Sequence, residues 1–216
     1  MRPLVILGAG GHAKMVIEAA RSGGQYQPTV CLSASANSPA SILGVPIVEE
    51  TDSQLRLLAK RQLWAVVAIG ENRLRQRLQH KLSEFRFAIA TIVASTAWLS
   101  PSARIGAGSV LMPNSSVGAE VELGLGVIVN TNASVDHDGR VEEFAHLAPG
   151  AHLAGNVHIG ARAFVGLGTS IIPTRRIGAD AVIGAGATII RDVPPNETWV
   201  GCPARPVARR DQRHVA

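Results

Sequence analysis

Aromatic residues are nearly missing from this chain: three Trp, one Tyr and four Phe stand among 216 residues. A core without rings is assembled from small and branched side chains, so many thin layers are expected in place of a few bulky anchors. Charged residues are scarce too, 17% against 46% apolar, which excludes a disordered or tail-like chain. No apolar run approaches the roughly 18 to 20 residues that cross a bilayer, so no membrane span is expected. The opening MRPLVILGAGGHAK passes into a glycine turn without a small-residue cleavage site and reads as a first strand. Only two cysteines occur, Cys31 and Cys202, in no framework spacing, which fits a reduced, cytoplasmic protein without a disulfide.

What the chain has instead is a period of six. From Val93 in steps of six to Ile189, all seventeen positions are Val, Leu or Ile, although these types make up only 56 of the 216 residues. The residue four further on is Ala, Ser, Val, Gly or Thr, with Arg175 the one exception. Neither the helical period of 3.6 nor the strand period of 2 produces this, whereas a prism with three flat faces of six residues each does. One coil then takes 18 residues, and residues 93–190 make about five and a half coils. The first and fifth residues of each hexad point inward. This pattern resembles the left-handed parallel β-helix of hexapeptide-repeat acyltransferases.

Residues 1–92 read differently. PLVIL (3–7), PTVCL (28–32), WAVVAIG (64–70) and RFAIATIV (86–93) are strand-like, and helices are expected over MVIEAARSG (15–23), near 51–62 and over about 72–84. Alternation of strand and helix predicts a small parallel sheet, a Rossmann-like βαβαβ unit. The expected division is therefore a nucleotide-sugar-binding domain at 1–92 and a β-helix domain with a C-terminal tail at 93–216. Gly8-Ala9-Gly10-Gly11-His12-Ala13 satisfies G-x-G-x-x-G/A between a strand and a helix, where backbone N–H groups meet a diphosphate. A nicotinamide dinucleotide would also need an acid near the end of the second strand, but no Asp or Glu occurs between Glu18 and Glu49. A nucleotide-sugar diphosphate is favoured over a dinucleotide; a tight turn without ligand is the plain alternative. Gly70, Asn72 and Arg73, after the WAVVAI strand, either complete that pocket or cap a helix.

Charge follows the same division. Residues 1–92 carry 11 Lys and Arg against 6 Asp and Glu, residues 93–190 carry 5 against 7, and residues 191–216 carry 5 against 3. Basic ends around a near-neutral middle suit two compact phosphate ligands better than a nucleic-acid track, although a solvated Arg-rich surface has the same composition.

GAGGHAK, AIGEN, NTNASVDHD, AGNVHIGARAFVGLGTSIIP and VGCPARPV occur in one order along essentially the whole chain. This order resembles the sialic-acid O-acetyltransferase-like (NeuD/PglD-type) sugar acetyltransferases, including the bacterial N-acetyltransferases of nucleotide-linked 4-amino sugars. The resemblance implies a homotrimer with acetyl-CoA as cosubstrate between neighbouring prisms. It also implies a UDP-, GDP- or dTDP-linked amino sugar held by the N-terminal part, in bacterial surface-glycan synthesis. It places the catalytic base on His137, with Asp138 beside it where the best-known amino-sugar members have Glu. The register turns His137 outward, and flanking carboxylates orient an imidazole and raise its basicity. Coil arithmetic puts Gly155 one coil, 18 residues, beyond His137, as an oxyanion donor. Asn130 and His146 map to the sugar-nucleotide side. Ala185, Gly186 and Arg205 map to the CoA side, where Arg205 meets a phosphate or is a solvated tail residue.

His146, His152 and His158 fall six apart, but six residues is one face, so within one chain the three rings diverge and no metal is expected. Alternatives are an O-acetyltransferase of sialic acid or a related sugar, an NAD-binding reductase, and a non-catalytic trimeric scaffold. The missing acid weighs against the reductase, and the outward His137 between two acids weighs against the scaffold.

Overall fold

The structure, a computed structural model, describes residues 1–35 and 37–207. The end of the expected tail, residues 208–216 with Arg209, Arg210 and Arg213, lies outside the described residues.

The first part is a six-stranded sheet with helices on both faces. Its elements are β1 (Arg2–Leu7), α1 (Gly11–Ser22), β2 (Tyr26–Ser33), β3 (Ser41–Ile42), β4 (Val45–Glu49), α2 (Asp52–Ala59), β5 (Trp64–Val67), α3 (Asn72–Glu84) and β6 (Ala88–Ile89). The order across the sheet is β3-β4-β2-β1-β5-β6, and every neighbouring pair is parallel except β3 with β4. Leu4, Val5, Ile6 and Leu7 are fully buried because β1 is central and both its faces are covered, which is why PLVIL is an unbroken apolar run. The β3–β4 hairpin was not among the expected strands. It is short, and Pro46 interrupts the apolar pattern of Val45–Val48, so neither alternation nor an unbroken run marks it. The strand that AIG follows, β5, is consequently the fifth in the chain, not the third. RFAIATIV also divides: β6 finishes this sheet, and β7 (Ile92–Val93) begins the prism.

From β7 to β23 (Thr188–Ile189) run seventeen two-residue strands, and the second residue of each is one of the seventeen hexad aliphatics. They stack in parallel into three sheets with partners 18 residues apart, such as Val110 with Ile128 and Ser116 with Ser134. This is the left-handed parallel β-helix. Val117, Val129, Val135, Leu147, Ile159 and Val165 are within 1% of full burial and form its core with the small fifth residues. Arg175 breaks the small-residue rule without entering the prism: it stays half-buried at the rim, 3.4 Å from Asp192.

The outward residue of each rung distinguishes the three faces. On the first face it is Ile92, Val110, Ile128 and His146, all buried, then the half-buried Phe164 and the exposed Val182. On the second it is Trp98, Ser116, Ser134, His152 and Ser170, and on the third Arg104, Glu122, Arg140, His158 and Arg176. The apolar first face is where the α/β part sits: Ile92, Val110 and Met112 share one core with Val16, Ile17 and Ala20 of α1.

Candidate active site

At the carboxyl end of β1 the chain turns through Gly8, which has φ +120°; a Cβ there would lie 2.8 Å from the Ala68 carbonyl oxygen. Glycine is therefore required to bring β1 against β5. Gly10 caps α1 with no side-chain bond, and a Cβ on Gly10 or Gly11 would meet nothing within 4 Å. The first turn of α1 thus opens to free space, and among the described residues the N–H groups of Gly10, Gly11 and His12 have no acceptor. That is an anion-binding arrangement of amides and helix dipole.

Behind this turn lies a buried cationic residue that the sequence reading did not single out. Arg75 of α3 is completely buried, and its guanidinium reaches six acceptors. Nε donates to the Gly126 carbonyl, Nη1 to those of Ile69 and Gly70, and Nη2 to Asn72 Oδ1 and the carbonyls of Phe144 and Ala145. No carboxylate is among them. Burial without a counter-ion pulls its pKa down to about 10, against an upward pull from Glu71. The same charge acts on two histidines. His146 is driven down to about 3 by burial, then by Arg75 and His12, and His12 to about 4 by burial and Arg75. Both are neutral at pH 7. Neutral His146 donates from Nδ1 to the Gly70 carbonyl and accepts at Nε2 from Asn130 Nδ2, each at 3.2 Å. The His12 ring centre is 6.4 Å away, and among the described residues its buried Nε2 has no partner.

The second constellation stands on the far side of the prism. His137 lies in the turn between the second and third faces, so it occupies the edge opposite the first face and the α/β part. Asp138, in the left-handed conformation at φ +58°, points its carboxylate back to the ring, with Nδ1 to Oδ2 2.8 Å. Asp136 Oδ1 accepts the His137 backbone N–H at 2.8 Å and holds the same turn. Since an ionised carboxylate only accepts, Nδ1 carries the proton and the lone pair is on Nε2. Asp138 first and Asp136 second raise the His137 pKa above the ordinary imidazole value. A Cβ on Gly155 would sit 2.5 Å from both Nε2 and Cε1 of His137, so the ring rests directly on that glycine. Among the described residues the Gly155 N–H has no acceptor. An open groove of about 740 Å³ runs along the second face beside His137, past Trp98, Ser134, His152 and Pro173.

Comparison with known proteins decides the family. The PglD N-terminal domain family matches residues 3–82. A mutant of perosamine N-acetyltransferase from Caulobacter crescentus, solved in complex with CoA and GDP-perosamine, superposes with a TM-score of 0.89 at 39% identity. That match covers 95% of this chain and 97% of the other. The acetyltransferase domain of PglB from Neisseria gonorrhoeae FA1090, in complex with acetyl coenzyme A, gives 0.90 at 39% identity, covering 95% and 99%. The chain belongs to the PglD-type sugar acetyltransferases. Curated relatives match over less of their length. A putative acetyltransferase of Saccharomyces cerevisiae, 34% identical over 43% of this chain, is spanned for 47% of its own, and the first matched relatives for about a fifth.

Within this PglD-type framework, Gly8, Gly10, Gly11, His12, Gly70, Asn130 and His146 gather on the side of the α/β part, while His137, Asp138 and Gly155 gather on the opposite edge. Asn72 and Arg73 do not join the first group. Asn72 is buried, with Nδ2 on the carbonyls of Arg162 and Ala163 and Oδ1 on Arg75, so its hydrogen-bonding groups are already engaged. Arg73 pairs with Asp180 at 2.8 Å. Both tie α3 to the prism, and the helix cap is Glu71, which accepts from the N–H groups of Arg73 and Leu74. Ala185 and Gly186 are exposed at the edge between the first and second faces, with Gly186 at φ +66° and open space where a Cβ would be. Arg205 lies exposed in β25 (Arg205–Pro206), its Nη1 on the Ala204 carbonyl. His146, His152 and His158 stand on three different sheets, bonded to Asn130, Ser134 and Glu142 respectively. Among the described residues no helix is long and apolar enough to cross a membrane, and Cys31 and Cys202 are free thiols.

Gly155 offers a test that separates catalysis from folding. The clash of Gly155→Ala falls on a ring that is 61% exposed and can swing into solvent, so the fold survives while the His137–Asp138 pair breaks. The expected outcome is an unchanged melting temperature with kcat lowered roughly 100- to 1000-fold, the range for losing a general base or an oxyanion donor. Wild-type turnover in the alanine variant would refute the contact.

Proposed function

We propose that this chain is an acetyl-CoA-dependent N-acetyltransferase acting on a nucleotide-linked amino sugar, a 4-amino-4,6-dideoxy sugar in surface-glycan synthesis. The observation that carries this is the His137 imidazole, oriented by Asp138, with Nε2 against the Gly155 amide on an open groove. Perosamine N-acetyltransferase, with its bound CoA and GDP-perosamine, supports the substrate class. In this reading the sugar amine attacks the thioester carbonyl, His137 Nε2 takes the amine proton, the Gly155 N–H holds the oxyanion, and the C–S bond breaks. The proton on His137 is then available to the CoA thiolate. No covalent enzyme intermediate is needed.

The two constellations occupy opposite sides of one prism, so one chain does not bring its own nucleotide pocket to its own base. We infer a homotrimer in which the sugar bound by one copy is acetylated by His137 of its neighbour. This gives a complementation test: mixed assemblies of inactive His137→Ala and inactive Gly11→Trp subunits, the latter with a blocked α1 turn, regain activity. Mixtures as inactive as their parents would contradict shared sites.

The activity itself is tested by CoA thiol release from acetyl-CoA with UDP-, GDP- and dTDP-linked 4-amino sugars, using hydroxyl-only analogues as controls. Release with amino sugars alone is expected; equal release with hydroxyl analogues would favour O-acetylation. The pH profile is a further check. A base must be unprotonated, so with a raised His137 pKa the acid limb of kcat/KM lies above the ordinary value of about 6.5. Asp138→Asn removes the largest upward contribution, and the limb should move to lower pH while the plateau falls. An unmoved limb would show that Asp138 does not act on His137.

A further inference from the structure

We propose that the nucleotide of the sugar substrate carries guanine and that Glu49 reads it; this rests on the nucleotide-sugar reading of the α/β part. The β3–β4 hairpin places β4 next to β2, in register Ser33 opposite Glu49. Three consecutive strands of the sheet, β1, β2 and β4, therefore present their carboxyl ends side by side, about 4.8 Å apart. The glycine turn after β1 is the phosphate end, and it is joined to β2 by the Gly8 N–H on the Leu32 carbonyl. One strand further is Ser33, at ribose distance, and one strand further again is Glu49, where the base of an extended nucleotide arrives.

A cavity of about 300 Å³ opens there, lined by Ser33, Ser35, Ser38, Pro39, Ile47 and Glu49. Its serines are already ordered: the Ser33 and Ser38 hydroxyls are 2.6 Å apart, the Ser35 N–H donates to Ser33 Oγ, and Ser38 Oγ donates to the Ser35 carbonyl. Glu49 is the one charged residue of this lining, and among the described residues its carboxylate has no hydrogen-bonded or ionic partner. The neighbouring Glu50, by contrast, is held by Lys81 at 3.2 Å.

A carboxylate accepts and does not donate, which sorts the bases. Guanine presents N1–H and the 2-amino group on one edge, two parallel donors that match the two oxygens of a carboxylate. Uracil and thymine offer a single N3–H flanked by two carbonyl oxygens, and adenine turns an unprotonated N1 toward the same place. The acid missing after β2 is thus supplied by the hairpin, one strand further out, where it meets the base.

The test is calorimetric binding of GDP, IDP, UDP, dTDP and ADP to the full chain, with no turnover required. A good bidentate pair discriminates by one to two orders of magnitude. GDP is expected to bind at least tenfold more tightly than UDP, dTDP or ADP, with IDP, which lacks the 2-amino group, in between. Glu49→Gln should weaken GDP at least tenfold and leave UDP unchanged. Equal affinities for GDP and UDP, or an unaffected GDP affinity in the variant, overturn the assignment of Glu49 alone. Binding of none of the five nucleotides overturns the nucleotide-sugar reading together with it.

Discussion

Replacing His137 by alanine is expected to lower kcat at least a hundredfold, the low end for losing a general base, while leaving the affinity for the nucleotide sugar nearly intact. The second half of that statement separates the mechanism from simple damage. His137 is exposed, on the edge of the prism away from the glycine turn, His12 and His146, so its removal disturbs neither the core nor the arrangement around that turn. Turnover and nucleotide binding measured on the same preparation decide the matter. Unchanged turnover would remove the base from His137, and a parallel loss of nucleotide affinity would place that residue in the nucleotide pocket.

Arg75→Leu should produce the largest loss of stability. The side chain is fully buried and binds five backbone carbonyls and Asn72, drawn from α3, the loop after β5 and the first-face edge of the prism. Leucine fills part of the volume but leaves the Gly126, Ile69 and Phe144 carbonyls and Asn72 Oδ1 without their donor, while the Gly70 and Ala145 carbonyls keep His146 and the Ile128 N–H. Each unsatisfied buried group costs about 1 to 3 kcal/mol, so a total of at least about 3 kcal/mol is expected. For a chain of this size that corresponds to a fall of roughly 10 °C in Tm. Arg75→Lys should not rescue it, because one ammonium with three donors cannot span six acceptors. A melting temperature within a degree of wild type for either variant would show that the network is dispensable. The loss should also reach the site, since Gly70, whose carbonyl Arg75 binds, is the partner of His146.

Much of this molecule is written in short-range pattern. Seventeen aliphatics at a period of six allow only a prism, since each coil repeats the chemistry of the one below, and the position of His137 in its hexad already turned it outward over Gly155. Local rules also placed β1, the glycine turn and α1. The prism faces were not distinguished by the period of six; they separate at a period of 18, where Ile92, Val110 and Ile128 line the covered face and Arg104, Glu122 and Arg140 a solvated one.

Other features have no local signature. Arg75, Asn72 and Arg73 sit in an ordinary basic helical stretch, NRLRQRLQHKLSE, and nothing in it tells the arginine that is sealed inside from those that are solvated. Which one is buried depends on how α3 docks on the prism, a contact between residues 50 to 90 positions apart. The same holds for the low pKa of His12 and His146, set by burial against a distant charge, and for Glu49, brought beside β2 by a hairpin too short to leave a pattern. The sequence by itself determined the repeating prism, the glycine turn between β1 and α1 and the imidazole on the prism edge, because each arises from residues within one or two turns of chain. Only the tertiary structure decided that His137 and the glycine turn lie on opposite sides of that prism, because the docking of two separately built parts is a long-range fact.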